Sequence, residues 1–142
     1  MLGKRSKIVL DTNVVISAAI SLDGHPAKIF ELLIREEVEN FTTSEIANEI
    51  KAVFYRPRIR KILSLVEIDF MITAFVNSST FIKTLVEIKV VKEDLDDNKF
   101  LECAVTANAN YIISGDQHLL NIKEFQGIKI VSPAQFIKLY QN

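Results

Sequence analysis

The chain has 142 residues, 49% of them hydrophobic and 25% charged, with a formal net charge of −1. This is enough chain to bury roughly 68–70% of its unfolded surface in an ordinary core, and the composition excludes a disordered or low-complexity protein. A pI near 6.1 excludes a general basic field for nucleic acid, so any such contact has to come from a local patch or from bound cations.

The first element is predicted at Ile8-Val9-Leu10, a short apolar run of the kind that forms a buried parallel strand. It runs into Asp11-Thr12-Asn13, after which Val14 to Ala19 read as a short helix. Gly24-His25-Pro26 marks a break, and Pro26 suits the first turn of a second helix with Ala27, Ile29, Phe30, Leu33 and Ile34 inward. Phe41-Thr42 ends a second strand, and Ser44 or a neighbouring threonine caps a helix whose inward residues are Ile46, Ile50, Val53 and Phe54. Arg56-Pro57 interrupts that helix, because proline disfavours helical backbone at the residue before it. Ile59, Ile62 and Leu63 resume a helical pattern, Val66 to Val76 form an amphipathic helix, and a third strand is expected near Phe81 to Val86.

The last third reads as a helix from Asp97 to Asn108, a strand Tyr111-Ile112-Ile113 ending at Ser114-Gly115-Asp116, and a strand Ile128 to Val131. Ser132-Pro133-Ala134-Gln135 has the pattern of a capping box that opens a closing helix. No internal repeat or linker divides the chain, so one domain over residues 1–142 is expected. Strands alternating with helices predict an α/β domain with a mainly parallel sheet covered on both faces, in which ligands bind beyond the carboxyl ends of the strands.

Cys103 is the only cysteine, which excludes a disulfide within the chain and fits a reducing cytoplasm. Its neighbours Phe100, Leu101, Ala104 and Val105 predict a buried structural thiol. The opening stretch MLGKRSKIVLDTN has too short an apolar run for a signal peptide or a membrane span, and a cytoplasmic location is the expectation.

That sheet edge gives four acids their interest. Asp11 and Asp116 each follow a strand directly, Asp97 starts the helix before the strand that delivers Asp116, and Glu49 lies in the helix after the second strand. Carboxylates brought together repel, and a hard divalent cation with oxygen ligands removes that conflict. Such a site can activate water for in-line attack on a phosphodiester. Each acid also has a plainer reading. Asp11 and Asp97 can cap helices, with Asp94 and Asp96 competing for that place. Glu45 and Glu49 lie one turn apart, so one of them can be a surface charge, and Asp116 follows a glycine as turn residues often do.

Together these segments resemble the PIN-domain family, in particular its toxin components of toxin–antitoxin pairs. Ile8-Val9-Leu10-Asp11-Thr12-Asn13 resembles the first acidic motif. Ser44 to Ile50, followed by Arg56-Pro57-Arg58, resembles the second and aligns its acid with Glu49. Asp94 to Leu101 resembles the third with its acid at Asp97, and Ser114-Gly115-Asp116 followed by His118-Leu119-Leu120 resembles the fourth. The likeness covers nearly the whole chain. It implies a three-layer α/β/α sandwich around a mainly parallel sheet and cleavage of RNA with Mg²⁺ or Mn²⁺. It also implies a homodimer and silencing by a small antitoxin protein. The implied metal ligands are Asp11, Asp97 and Asp116, with Glu49 as a further ligand or as the group that orients the attacking water.

Thr12 and Asn13 are placed to hydrogen-bond Asp11 or metal-bound water, and Ser114 resembles the small hydroxyl residue beside the family's last acid. Asp94 and Asp96 read as loop charges, with help to a second metal as the alternative; His118, near Asp116, reads as a surface histidine rather than a general base, and His25 as loop chemistry. Arg56, Arg58, Arg60 and Lys61 form a basic cluster that can grip RNA phosphates or simply face solvent, with Tyr55 the aromatic beside it. Other classes fit less well. Aspartyl-phosphate enzymes of the haloacid-dehalogenase type need a second aspartate where Asn13 stands, receiver domains need an acidic pair near the first strand, and a dinucleotide site needs a glycine-rich turn. The remaining alternatives are a non-catalytic RNA- or partner-binding module with the same fold and a nuclease that acts on DNA or on structured substrates.

Overall fold

The computed structural model describes residues 5–88 and 97–141. Asp94 and Asp96 lie outside the described residues. Strands β1 (Ser6–Leu10), β2 (Val38–Thr42), β3 (Ser79–Phe81), β4 (Tyr111–Ile113), β5 (Glu124–Phe125) and β6 (Ile128–Val131) form one sheet in the order β3-β2-β1-β4-β6-β5. Every pairing is parallel except that of the short edge strand β5 with β6. Gln126 and Gly127 join these two in a two-residue turn, both at positive φ, which is why a glycine stands at the second position.

The helices are α1 (Thr12–Ile20), α2 (His25–Ile34), α3 (Ser44–Phe54), α4 (Pro57–Arg60), α5 (Leu65–Asn77), α6 (Asn98–Ala107), α7 (Gln117–Leu120) and α8 (Pro133–Gln141). Right-handed crossovers put the helices that lead leftward from β1 over one face and α6, which leads back from β3 to β4, over the other. The packing agrees: α2 lies against β2, α1 and α8, whereas α6 lies across β2, β1 and β4. The result is a sheet between two helical layers, as the alternation of elements predicts. Ile8, Val9 and Leu10 are all buried because both faces of β1 are covered.

Local chemistry sets the boundaries. Thr43 caps α3 through the amide of Ile46, Ser64 and Glu67 form a capping box on α5, and Ser132 and Gln135 exchange hydrogen bonds at the start of α8. Arg56 is extended (ψ 144°) before Pro57, which separates α3 from α4. Cys103 is buried in α6, and desolvation pushes its thiol up to about 12.

Three expectations change. The third strand is Ser79–Phe81 rather than the stretch near Phe81 to Val86, because β2 ends at Thr42 and offers no further edge. The chain beyond is tied instead to α6, the amide of Leu85 bonding to Thr106 and that of Ile88 to Glu102. Ile34 and Ile62 face solvent instead of the core. In α5 only Ile68 and Phe75 are buried, and Leu65, Val66 and Phe70 are exposed, since this helix packs on α3 and β3 over a narrow stripe.

One buried polar side chain holds the centre of the sheet. The β1–β2 register runs from Ser6–Val38 to Ile8–Asn40, and beyond it the amide of Leu10 bonds to Oδ1 of Asn40 at 3.0 Å. Asn40 Nδ2 donates to Ser79 Oγ, which donates to the carbonyl of Phe75. Asn40→Leu should therefore cost about 1–3 kcal/mol, the usual penalty of an orphaned buried amide. Urea denaturation with an unchanged slope measures it, and a loss under about 0.5 kcal/mol would mean that Leu10 finds another acceptor.

Candidate active site

At the carboxyl edge of the parallel strands a cleft is lined by Asp11, Thr12, Asn13, Glu49, Val53, Arg56, Asp97, Phe100 and Asp116. The four acids singled out in the sequence come from four parts of the chain: the end of β1, the middle of α3, the start of α6 and the end of the β4 turn. The parallel order β2-β1-β4 brings three of these segments side by side, and α6 crosses over them.

Asp11 is the most deeply placed of them, 3% exposed. It caps α1 by accepting the Val14 amide on Oδ1 at 3.0 Å, and Oδ2 accepts the hydroxyl of Ser114. Ser114 Oγ accepts in turn from the amide of Asp116, so β1 and β4 are latched together at the cleft. Burial pushes the Asp11 carboxyl up to about 6, against the pull of the Ser114, Val14 and Gly115 hydrogen bonds; the neighbouring charge of Asp116 raises it further. Capping and cleft-lining are thus both properties of Asp11.

Asp116 caps the short α7 through the amide of His118 at 2.8 Å and still lines the cleft. Asp97 is buried and stands at the N-cap position of α6, but its side chain makes no capping hydrogen bond. His118, read in the sequence as a surface histidine, is partly exposed, with Nδ1 3.7 Å from Asp116 Oδ1. Asp97, Asp116 and His118 each offer one ligand atom, all within 4.8 Å of one another. Two carboxylates and an imidazole at this spacing, with Asp11 beside them, suit a divalent cation.

Glu49 is held differently. Its Oε1 accepts the hydroxyl of Thr12, and its Oε2 lies 2.6 Å from the ammonium of Lys99. Thr12 therefore serves Glu49 and not Asp11, and Ser114 is the hydroxyl that serves Asp11. Asn13 is exposed on the rim. Of the basic cluster, Arg56 lines the cleft, while Arg58, Arg60 and Lys61 are exposed on and just after α4.

Sequence reasoning missed Lys99, and it placed His118 near Asp116 but read it as a surface histidine. Lys99 sits one helical turn before the buried Cys103, and a lysine in line with an inward thiol was the available signal.

Residues 7–118 match the family model described as a PIN domain. A protein of Methanocaldococcus jannaschii described as uncharacterized is 33% identical over 145 residues, covering 96% of this chain and 92% of its own. Among solved structures, PAE2754 from Pyrobaculum aerophilum is similar with a TM-score of 0.64 at 9% identity, over 96% of this chain and 91% of its own. VapBC2 from Rickettsia felis, bound to a DNA fragment from their promoter, is similar with a TM-score of 0.57 at 12% identity, over 89% and 98%. At these identities the two structures speak to the fold.

The raised Asp11 carboxyl has a stability consequence. An acid whose folded value lies near 6, above the ordinary 3.8, costs stability while charged; the cost is full above pH 6 and fades as pH falls towards 4. In metal-free protein Asp11→Asn should gain up to about 3 kcal/mol at pH 8 and close to nothing at pH 4. Chemical denaturation of both proteins at the two pH values checks this, and a gain independent of pH would assign it to packing.

Proposed function

The chain belongs to the PIN-domain family, and from that membership we propose that it is a metal-dependent ribonuclease, a single catalytic domain spanning residues 1–142 that works as the toxin of a toxin–antitoxin pair. The observation that carries this reading is the convergence of Asp11, Glu49, Asp97 and Asp116 on one cleft from four separate segments. A purely structural fold has no reason to gather four carboxylates at the place where their repulsion costs most.

Asp97 and Asp116 would hold Mg²⁺ or Mn²⁺ with Asp11, and His118 is close enough to add a nitrogen. When bound, the ion supplies activation of water near neutral pH and stabilisation of the charge that develops on the departing oxygen. The protein's own contributions follow from its geometry. Ser114 and the Val14 amide fix the orientation of the Asp11 carboxylate. Glu49, steadied by Thr12 and Lys99, faces the cleft as a fixed acceptor that can orient an attacking water. Arg56 on the rim would bind a backbone phosphate and bring the scissile bond over the acids, and Arg58, Arg60 and Lys61 extend this grip along the strand.

The wider setting rests on the motif resemblance to toxins and on the fold likeness to the VapBC2 structure. RNA is the proposed substrate, a small antitoxin protein and a second copy of the chain are the proposed partners, and the cytoplasm is the proposed location. Among the described residues no helix is long and apolar enough to cross a membrane. The exposed apolar side chains Ile62, Leu65, Val66 and Phe70 around α4 and α5 give a protein partner apolar surface to cover.

Labelled single-stranded RNA with Mn²⁺ tests the reading directly. EDTA should stop cleavage, and Asp116→Asn or Asp97→Asn should reduce it on the order of 100-fold or more with the fold retained. A fully active Asp116→Asn variant would remove that residue from the mechanism, and metal-independent cleavage would sink the reading itself. Arg56→Ala should raise KM more than it lowers kcat and should flatten the salt dependence of RNA binding.

A further inference from the structure

A second hollow, of about 320 Å³, opens beside the acidic cleft where β2 ends and α3 begins. Its lining includes Ser44, Glu45, Ile82, Lys83, Thr84 and Glu102. Lys99 borders it as well, and the Lys99 ammonium is 2.6 Å from Oε2 of Glu49, which lines the cleft. One ion pair thus separates the two spaces. Pockets that hold small ligands begin at about this size, ~300–1,000 Å³, and combine apolar wall with a few polar groups.

The hollow carries both signs of charge. Lys83 lines the same space as Glu45 and Glu102, and among the described residues no ion pair joins them. Cationic donor and anionic acceptor therefore stand at separate points of the wall. Ser44 and Thr84 add hydroxyls that either donate or accept. Ile82 supplies apolar surface, and its amide is anchored to the carbonyl of Thr42. Two carboxylates disfavour a phosphate here, and the lysines disfavour a metal ion. A nucleobase suits the mixture, because it carries donors and acceptors on the edges of a flat apolar body.

We propose that this hollow is a base-reading subsite that takes the guanine of a nucleotide next to the scissile phosphate. The inference rests on the ribonuclease reading of the neighbouring cleft. Guanine presents the acceptors O6 and N7 on one edge, the usual targets of a lysine, here Lys83. On the next edge its N1–H and N2–H₂ lie side by side and match the two oxygens of a carboxylate, here Glu45. Adenine and cytosine set a single amino group beside an acceptor, and uracil sets its ring N–H between two acceptors. None of these gives a carboxylate two adjacent donors. Glu45, one turn from Glu49 on α3, thereby gains a task in specificity beside the cleft.

Titration of the ¹⁵N-labelled full-length protein with 5′-GMP, AMP, CMP and UMP in Mg²⁺, followed by amide NMR shifts, tests this without reference to cleavage. GMP should shift the amides of Ser44, Glu45 and Thr84 and bind about tenfold tighter than the other three. Glu45→Gln keeps the size of the side chain but presents a donor to a donor, and should weaken GMP about tenfold. The double variant Glu45→Ala/Lys83→Ala, at two exposed positions, should bind all four nucleotides within about twofold of one another. On RNA of mixed sequence with Mn²⁺, cuts by the wild type should fall beside guanines.

Equal affinity for the four nucleotides, preference for another base, or a GMP preference that survives in the double variant would overturn the inference. So would GMP shifts confined to the amides around Asp97 and Asp116, which would seat the nucleotide in the cleft. Metal-dependent cleavage with no base preference refutes the subsite and leaves the ribonuclease reading standing. GMP seated in the hollow of a protein that cleaves no RNA refutes the ribonuclease reading, and with it only the place of the guanine beside a scissile phosphate.

Discussion

Carboxylates held close together at the end of a sheet repel one another, and the cleft of this protein is organised around that repulsion. Asp11 has the hardest position, buried and within the field of Asp116, and it stays there because the Val14 amide and the Ser114 hydroxyl occupy its two oxygens. The same hydroxyl accepts the amide of Asp116, so one serine ties together the ends of β1 and β4 and the two acids they carry. The hydrogen bonds lower the cost of the charge without abolishing it, which leaves the carboxyl near 6. A site in this condition has an unmet need for positive charge, and that need connects the fold to the proposed chemistry.

The remaining acid is handled by a different device. Glu49 arrives from α3 rather than from a strand end, and its neutralising partner is a side chain of the protein, Lys99 of α6. The Glu49 carboxylate therefore meets an ammonium, whereas that of Asp11 meets an amide and a hydroxyl. Differences of this kind between neighbouring groups are what allow a cluster of like residues to take separate tasks. Arg56 adds a cation to the lining of the cleft.

These arrangements depend on a framework that is itself conventional. The parallel order around β1 places the β1 and β4 termini next to each other, and Asn40 carries the β1–β2 pairing one step further by supplying a side-chain acceptor to Leu10. The helices on both faces bury Ile8, Val9 and Leu10 of β1 and fix the depth at which Asp11 sits. Edge features are looser: β3 is short, the chain after Phe81 leaves the sheet for α6, and α5 shows several apolar side chains to solvent.

The sequence by itself determined the alternation of elements, the strands β1, β2, β4 and β6, a cap for α3 at Ser44 or a neighbouring threonine, the cap at Ser132, and the four acids at the places where a parallel sheet presents them. It could do so because periodicity, proline and capping residues act within a few residues of one another. It did not determine where β3 would pair, that β5 and α7 would form, that Ile34 and Ile62 would face solvent, that Thr12 would bind Glu49, or that Lys99 would stand among the acids. Glu49 and Lys99 are 50 residues apart, and Ser114 is 103 from Asp11. An amphipathic pattern says which side of an element turns inward, but not which neighbour it meets there. Only the packing of α3 and α6 over the strand ends decides that meeting, and with it that the Glu49 carboxylate receives the Lys99 ammonium.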